Sequence, residues 1–140
     1  CIFTQNASGA LKLVGESYPF DATSQYLLTF DNHNSVNGIR EYARRKGATI
    51  IYSPVLPPDM AVDEVKLAEF LEKAPTESHH LFAYPAQSNF SGVQHSLEWI
   101  TRAQEKGWDV LRIPYAPPLS EKELQRIVAL IRDFLGANDE

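Results

Sequence analysis

The sequence has only one cysteine, Cys1, among its 140 residues. A single thiol excludes an intrachain disulfide framework and a cysteine-rich zinc site, and it fits a reducing compartment. No apolar run is long enough to span a bilayer, and no basic segment followed by an apolar one opens the chain. We therefore predict a cytoplasmic protein with no membrane partner. Because the chain begins at Cys1 rather than at methionine, we also expect it to be cut from a longer protein or processed.

Positive charge is also scarce. The net charge is -5, and the longest basic run is Arg44-Arg45-Lys46. A phosphate backbone needs a far more basic surface, so nucleic acid is not an expected partner. The glycine-rich fingerprints of dinucleotide and P-loop sites are absent as well. At this length the chain predicts one domain with a substantial core.

Short apolar runs alternate with amphipathic stretches, which is the pattern of a mostly parallel sheet covered by helices on both faces. The fold predicted is therefore α/β with three layers, α/β/α. The predicted strands are residues 2–4, 26–30, 49–52, 81–84 and 109–113. Because helices separate the last four, these should pair in parallel.

Helical spacing and capping signals predict five helices. Four of them cover residues 7–17, 35–47, 63–74 and 96–106. The fifth begins with a Ser-x-x-Glu capping box at Ser120 and Glu123 and ends at Gly136. We expect it to dock on the sheet.

Ligands of open α/β sheets bind beyond the carboxyl ends of the strands, and three polar loops occupy such places. The first loop, residues 4–9, leads into a helix, so Ser8 and backbone N–H groups could hold an anion there. The alternative is that Asn6 or Ser8 only caps the helix. The second loop, residues 31–35, carries His33, which could stack on a planar cofactor or move protons. Its alternative is a solvated Asx turn.

The third loop, residues 84–92, is rich in amide and hydroxyl groups, which favours a functional role. Two weaker patterns surround it. Ser91 and His95 resemble part of a hydrolase site, but there is no Gly-x-Ser-x-Gly elbow and no evident acid to orient the histidine. A zinc site from His79, His80 and His95 is disfavoured because adjacent histidines project poorly toward one ion. No metal is predicted.

Three stretches of the sequence resemble the molybdenum cofactor sulfurase family, within the wider group of class-V aminotransferases and cysteine desulfurases. They are FT with ALKLV at residues 3–4 and 10–14, DNHNSVNGIR at residues 31–40, and LFAYPAQSNFSG at residues 81–92. The last is the most specific. The resemblance covers residues 1–111 and implies part of the large domain of a fold-type-I transferase that uses pyridoxal 5′-phosphate (PLP). It also implies that strand 26–30 lies between strands 49–52 and 81–84.

The resemblance also implies roles for individual residues. Ala7 and Ser8 would hold the PLP phosphate, and His33 would stack on the pyridine ring as the catalytic-site histidine. Asn89 would bind the phenolic oxygen of the ring, and Gln87 with Ser88 would shape that loop. The implied chemistry is removal of sulfur from L-cysteine, a small-molecule substrate, and its delivery to the molybdenum cofactor. A homodimer is expected as in the family.

The chain departs from the family after Val110 and Leu111. The family continues into an aspartate that pairs with the pyridinium nitrogen, whereas this sequence reads Arg112-Ile113-Pro114. None of its lysines stands in the family's Ser-x-x-Lys context for covalent PLP attachment, and Cys1 does not match the sulfur-accepting cysteine. Residues 112–140 resemble the closing strand and helix of the family's small domain and are expected to pack on the same domain. The alternatives are therefore a non-catalytic PLP- or phosphate-binding module and a structural remnant without a cofactor.

Overall fold

The structure is a computed structural model that describes residues 2–75, 77–113 and 125. Within these ranges the helices and strands alternate as the sequence predicts. The helices are α1 (Ala7–Ser17), α2 (Asn34–Asn37), α3 (Ile39–Arg45), α4 (Glu64–Glu72) and α5 (Glu98–Glu105). The strands are β1 (Gln25–Thr29), β2 (Thr49–Ser53), β3 (Val55–Leu56), β4 (Ala61–Val62), β5 (His80–Pro85) and β6 (Trp108–Ile113).

Four of these strands form one parallel sheet in the order β2-β1-β5-β6. The predicted neighbours of β1 are therefore confirmed. Leu27 pairs with Ile51 on one side and Phe82 on the other. Parallel pairing requires crossovers between the strands, and the helices supply them.

The first face of the sheet is covered by α1, α2 and α3. Leu11, Val36 and Ile39 of these helices pack on Tyr26 and Leu28 of β1. The Tyr26 hydroxyl donates a hydrogen bond to the Val36 carbonyl at 2.9 Å, so burial of this phenol leaves no donor unpaired.

The second face is covered by α4 and α5. Leu67 and Trp99 of these helices pack on Leu27 and Phe82 of the sheet. Trp108 joins this cluster, and its indole N–H donates to the Leu71 carbonyl at 3.0 Å. The result is the predicted three-layer α/β/α arrangement. No helix in the described ranges combines the length and the apolar character that a membrane crossing would need.

Three details of the sequence prediction are wrong. Residues 2–4 do not form a strand; Ile2 and Phe3 are exposed, and a short run without a neighbouring strand gains no ladder hydrogen bonds. The helix predicted for residues 35–47 is interrupted at Gly38, which separates α2 from α3. The stretch after β2, for which no strand was predicted, contains a small antiparallel pair, β3 with β4. The predicted helix after Ser120 lies outside the described residues.

Close packing of α1 on α3 depends on Gly15. A Cβ atom at this position would lie 2.7 Å from Cδ2 of Tyr42. We predict that Gly15→Ala lowers the free energy of unfolding by about 1–3 kcal/mol, because the Tyr42 ring must shift. Gly9→Ala is the matched control in the same helix, since its Cβ would meet its nearest neighbour at an ordinary 3.5 Å. Urea unfolding of both variants measures the effect, and equal stabilities would contradict it.

Candidate functional site

A cavity of about 600 Å³ lies at the carboxyl edge of the sheet, beside the start of α1. This volume is in the range of small-molecule sites. Its wall includes Pro85 and Ile113, the last residues of β5 and β6. The other lining residues are Asn6, Ala7, Ser8, Leu11, His33, Ser35, Val36, Gln87 and Asn89. All five residues predicted to bind the cofactor therefore surround one cavity.

The start of α1 forms one wall. Asn6 caps the helix, because its side-chain oxygen accepts the N–H of Gly9 at 2.9 Å. The earlier N–H groups, those of Ala7 and Ser8, have no acceptor within a helix and give this end its positive character. The predicted cap is therefore present, and Ala7 and Ser8 at the same helix start line the cavity.

The Ser8 hydroxyl joins α1 to α2. Its Oγ lies 2.7 Å from the Oγ of Ser35, and both residues line the cavity. Either hydroxyl can be the donor in this pair. If Ser35 donates to Ser8, the Ser8 O–H is left to donate to another acceptor, such as an anion. Ser35 was not among the residues predicted for the site. Its position in the Asp-Asn-His-Asn-Ser loop was the only sequence signal for it.

His33 lies on the opposite side of the helix start, at the N-cap of α2. Its Nδ1 accepts the backbone N–H of Ser35 at 3.2 Å. Accepting at Nδ1 places the proton of the neutral ring on Nε2. The ring is exposed and faces the cavity, so the turn that the sequence suggested is present and at the same time orients the imidazole.

Asn32 connects the ends of the two central strands. Its side-chain amide donates at 3.0 Å to the Thr29 carbonyl of β1 and at 3.0 Å to the Ala83 carbonyl of β5. This bridge holds the loop with His33 against the strand that leads to Gln87. Sequence reasoning assigned Asn32 no role, because only the strand order reveals that the two carbonyls are neighbours.

The loop after β5 folds back on itself. Backbone hydrogen bonds run from Ser88 to the Val93 carbonyl and from His95 to the Ala86 carbonyl, at 2.9 and 3.0 Å. The buried Ser88 hydroxyl accepts the N–H groups of residues 90 and 91, which tightens the turn. Gly92 adopts φ +75°, a conformation that glycine reaches without strain. Ser88 thus shapes this loop, in agreement with the role that the resemblance implied.

Gln87 presents an unused acceptor at the cavity. Its side-chain nitrogen donates to the Gly92 carbonyl at 2.9 Å, while its Oε1 is buried and has no partner among the described residues. A buried acceptor without a donor is costly, so this amide is not fully satisfied by the described residues. Asn89 stands beside it, exposed on the cavity wall.

His95 does have an acid partner, contrary to the sequence expectation. Its Nε2 lies 2.7 Å from Oδ2 of Asp31, and both side chains are almost fully buried. Burial of the Asp31 carboxyl would raise its pKa, but hydrogen bonds from His95, Thr29 and Ser88 outweigh burial and hold the pKa below its usual value. The two residues are 64 positions apart, so only the tertiary structure joins them.

His80, which the sequence suggested as one member of a histidine cluster, has a structural role. His80 accepts the N–H of Gln25 through Nδ1 at 3.0 Å, and its Nε2 lies 2.6 Å from the Pro75 carbonyl. Both ring nitrogens are thereby engaged away from His95. In the part of the chain that the structure describes, no group of three or more metal-ligating side chains is assembled.

Comparison with solved structures identifies the class of fold. A cysteine desulfurase from Escherichia coli superposes with a TM-score of 0.64 at 19% identity, covering 75% of this chain and 26% of the enzyme. A serine palmitoyltransferase from Sphingomonas wittichii gives 0.58 at 16% identity, with 75% and 24% coverage. The domain therefore has the α/β fold of PLP-dependent fold-type-I enzymes, as predicted from the sequence.

Sequence comparison narrows the relationship to molybdenum cofactor sulfurases. The Arabidopsis thaliana protein is 33% identical over a match that covers 80% of this chain and 16% of the relative. The human protein is 38% identical, with 71% and 12% coverage. The chain is thus molybdenum cofactor sulfurase-like, as its three loops predicted, and it spans a minor part of the length of these relatives. No family model matches the chain.

The lowered pKa of Asp31 predicts a pH-dependent stability. A carboxyl group with a lowered folded pKa stabilises the protein above the unfolded pKa of about 4 and loses this effect as pH falls through the folded pKa. We expect Asp31→Asn to be less stable than the wild type at pH 7, with a smaller difference near pH 3. Urea unfolding across this range measures it, with Asp59→Asn at an exposed position as control. A difference that does not depend on pH would contradict the prediction.

Proposed function

We propose that this domain is the PLP-docking part of a transferase of cysteine-desulfurase type, similar to molybdenum cofactor sulfurase. The observation that carries the proposal is the convergence of Ser8, His33 and Gln87 from three separate loops on one cavity at the carboxyl edge of the sheet. The similarity to molybdenum cofactor sulfurases, which covers 80% and 71% of this chain for the two relatives described above, supports the same assignment.

The cavity residues fit the non-covalent contacts of a phosphorylated pyridine ring. The N–H groups of Ala7 and Ser8 and the Ser8 hydroxyl would bind the phosphate at the positive end of α1. The His33 ring, fixed by its bond from Ser35, would lie on one face of the pyridine. The free Oε1 of Gln87 and the neighbouring Asn89 amide would meet the polar edge of the ring.

When bound, PLP supplies an electron sink for reactions at the α-carbon of an amino acid. The residues of this chain would bind and orient the ring, and the cavity would shield it from water. His33, with its proton on Nε2, could hold or release a proton at that atom above the ring. L-cysteine is the proposed substrate, and a cytoplasmic homodimer is the proposed setting, both on the strength of the family.

The covalent part of this chemistry does not fit the described cavity. After Leu111, where the family resemblance implies an aspartate, this chain has Arg112 and Ile113. Ile113 lines the cavity, and an apolar side chain cannot pair with a pyridinium nitrogen. The described lysines make contacts elsewhere. Lys12 pairs with Glu16, Lys46 with the Glu16 and Tyr18 carbonyls, Lys66 and Lys73 with Glu69, and Lys106 with Glu72.

This lining favours a second candidate function, a non-catalytic module that binds PLP or phosphate reversibly. The two functions differ in one measurable property. Borohydride reduces a lysine–PLP imine to a stable amine, so a catalytic lysine leaves PLP attached to the denatured protein. PLP that is only docked is lost on denaturation. We propose that residues 112–140 pack on the same domain.

We predict that the purified chain binds PLP reversibly and that His33→Ala weakens binding about three- to tenfold, the range expected for loss of one aromatic stacking contact. Titration of PLP absorbance or fluorescence measures the dissociation constant. His79→Ala is the matched control, because His79 is exposed and does not line the cavity. Equal affinities for all three proteins would count against the assigned role of His33.

We also predict that the chain by itself releases no sulfide or alanine from L-cysteine beyond a blank with PLP alone. Loss of a covalent catalytic group removes orders of magnitude in rate, because the remaining contacts only bind and orient. An exposed lysine can react slowly with PLP, so colour alone does not count as turnover. Activity above the blank that His33→Ala abolishes would show that the cavity is catalytically complete.

A further inference from the structure

Asp31 and His95 link two loops that both contribute residues to the cavity lining. Asp31 opens the turn that ends in His33, and His95 stands on the returning arm of the loop that carries Gln87. Their 2.7 Å contact is a buried side-chain hydrogen bond between these two loops across 64 residues of sequence. Neither side chain lines the cavity itself.

The His95 ring is held in one orientation. It stacks on Trp99 with a centroid distance of 5.1 Å and an interplanar angle of 26°, and it meets Tyr84 edge-on at 6.3 Å. Trp99 and Tyr84 are both buried. Trp99 belongs to α5 and Tyr84 to β5. The His95 ring is therefore packed against the core while its Nε2 contacts Asp31.

We propose that the Asp31–His95 pair is a positioning device that sets the distance between His33 and the loop with Gln87 and Asn89. This inference rests on the proposed function, since the spacing of these walls matters for the fit of a planar ligand. Loops at a sheet edge otherwise move independently. A hydrogen bond to a charged group, made in a buried place, is strong enough to couple them.

The geometry separates the two contributions of His95. His95→Phe keeps a flat ring against Trp99 but removes the donor to Asp31. His95→Gln keeps an N–H donor and gives up the stacking. If His95 has a positioning role, His95→Gln should keep slow amide exchange in the two loops and His95→Phe should lose it. If His95 only packs in the core, His95→Phe should keep slow exchange and His95→Gln should lose it.

The first measurement is amide hydrogen exchange of the full chain without ligand. In His95→Phe we expect the amides of Ser35 and Ser88 to exchange about tenfold faster or more, as expected for loss of a buried hydrogen bond to a charged group. The amide of Leu27 in the central strand should keep its wild-type rate. His95→Gln should restore slow exchange at both loops, and His79→Gln is the control at an exposed histidine.

The second measurement is the dissociation constant of PLP for the same proteins. We expect His95→Phe to weaken binding about tenfold and His95→Gln to stay near wild type. Failure of the wild type to bind PLP would count against the proposed function alone, because the exchange measurement tests the pair without a ligand. If His95→Phe does not fold, Asp31→Ala breaks the same bond while leaving the stack intact, and it should loosen the same loops. Loop amides that exchange at wild-type rates in the folded variant would overturn the proposal.

Discussion

The parallel pairing of β1 with β2 and β5 is the constraint on which the rest of the structure depends. Leu27 and Leu28 are fully buried on opposite faces of this central strand, so both helical layers take their position from it. Because the strands run in parallel, their carboxyl ends lie at one edge of the sheet. The polar loops that follow β1 and β5 are brought together for that reason alone.

Proximity at the edge of the sheet does not fix the loops relative to one another. A small set of polar side-chain contacts connects the three segments that line the cavity. Asn32 joins the ends of β1 and β5, Ser8 meets Ser35 across α1 and α2, and Asp31 meets His95 across the cavity loops. The Asn32 and Asp31–His95 contacts are partly buried and satisfy groups that would be costly to leave unpaired, whereas the Ser8–Ser35 contact is exposed. The side chains that face the cavity are therefore supported by side chains that do not.

Much of the fold was predictable because it depends on local patterns. The bounds of α1 were predicted correctly from its apolar stripe, and the four long strands were recognised as apolar runs between helices. The strand prediction failed for short segments, because whether they form strands depends on a pairing partner. Residues 2–4 have strand-forming side chains but no partner strand, whereas Val55 and Val62 pair across a turn without a strong sequence signal. Strands exist only as pairs, so composition alone cannot settle short ones.

The sequence by itself determined the α/β class and the resemblance to molybdenum cofactor sulfurases, because apolar periodicity and loop motifs are written along the chain. The order of the strands around β1 followed from that resemblance. It also indicated Ala7, Ser8, His33, Gln87 and Asn89, which do surround one cavity. Only the tertiary structure decided that Asp31 is the partner of His95, that Ser35 and Asn32 support the site and that Ile113 forms its wall. These contacts join residues that are distant in the chain, and their geometry follows from how the layers pack.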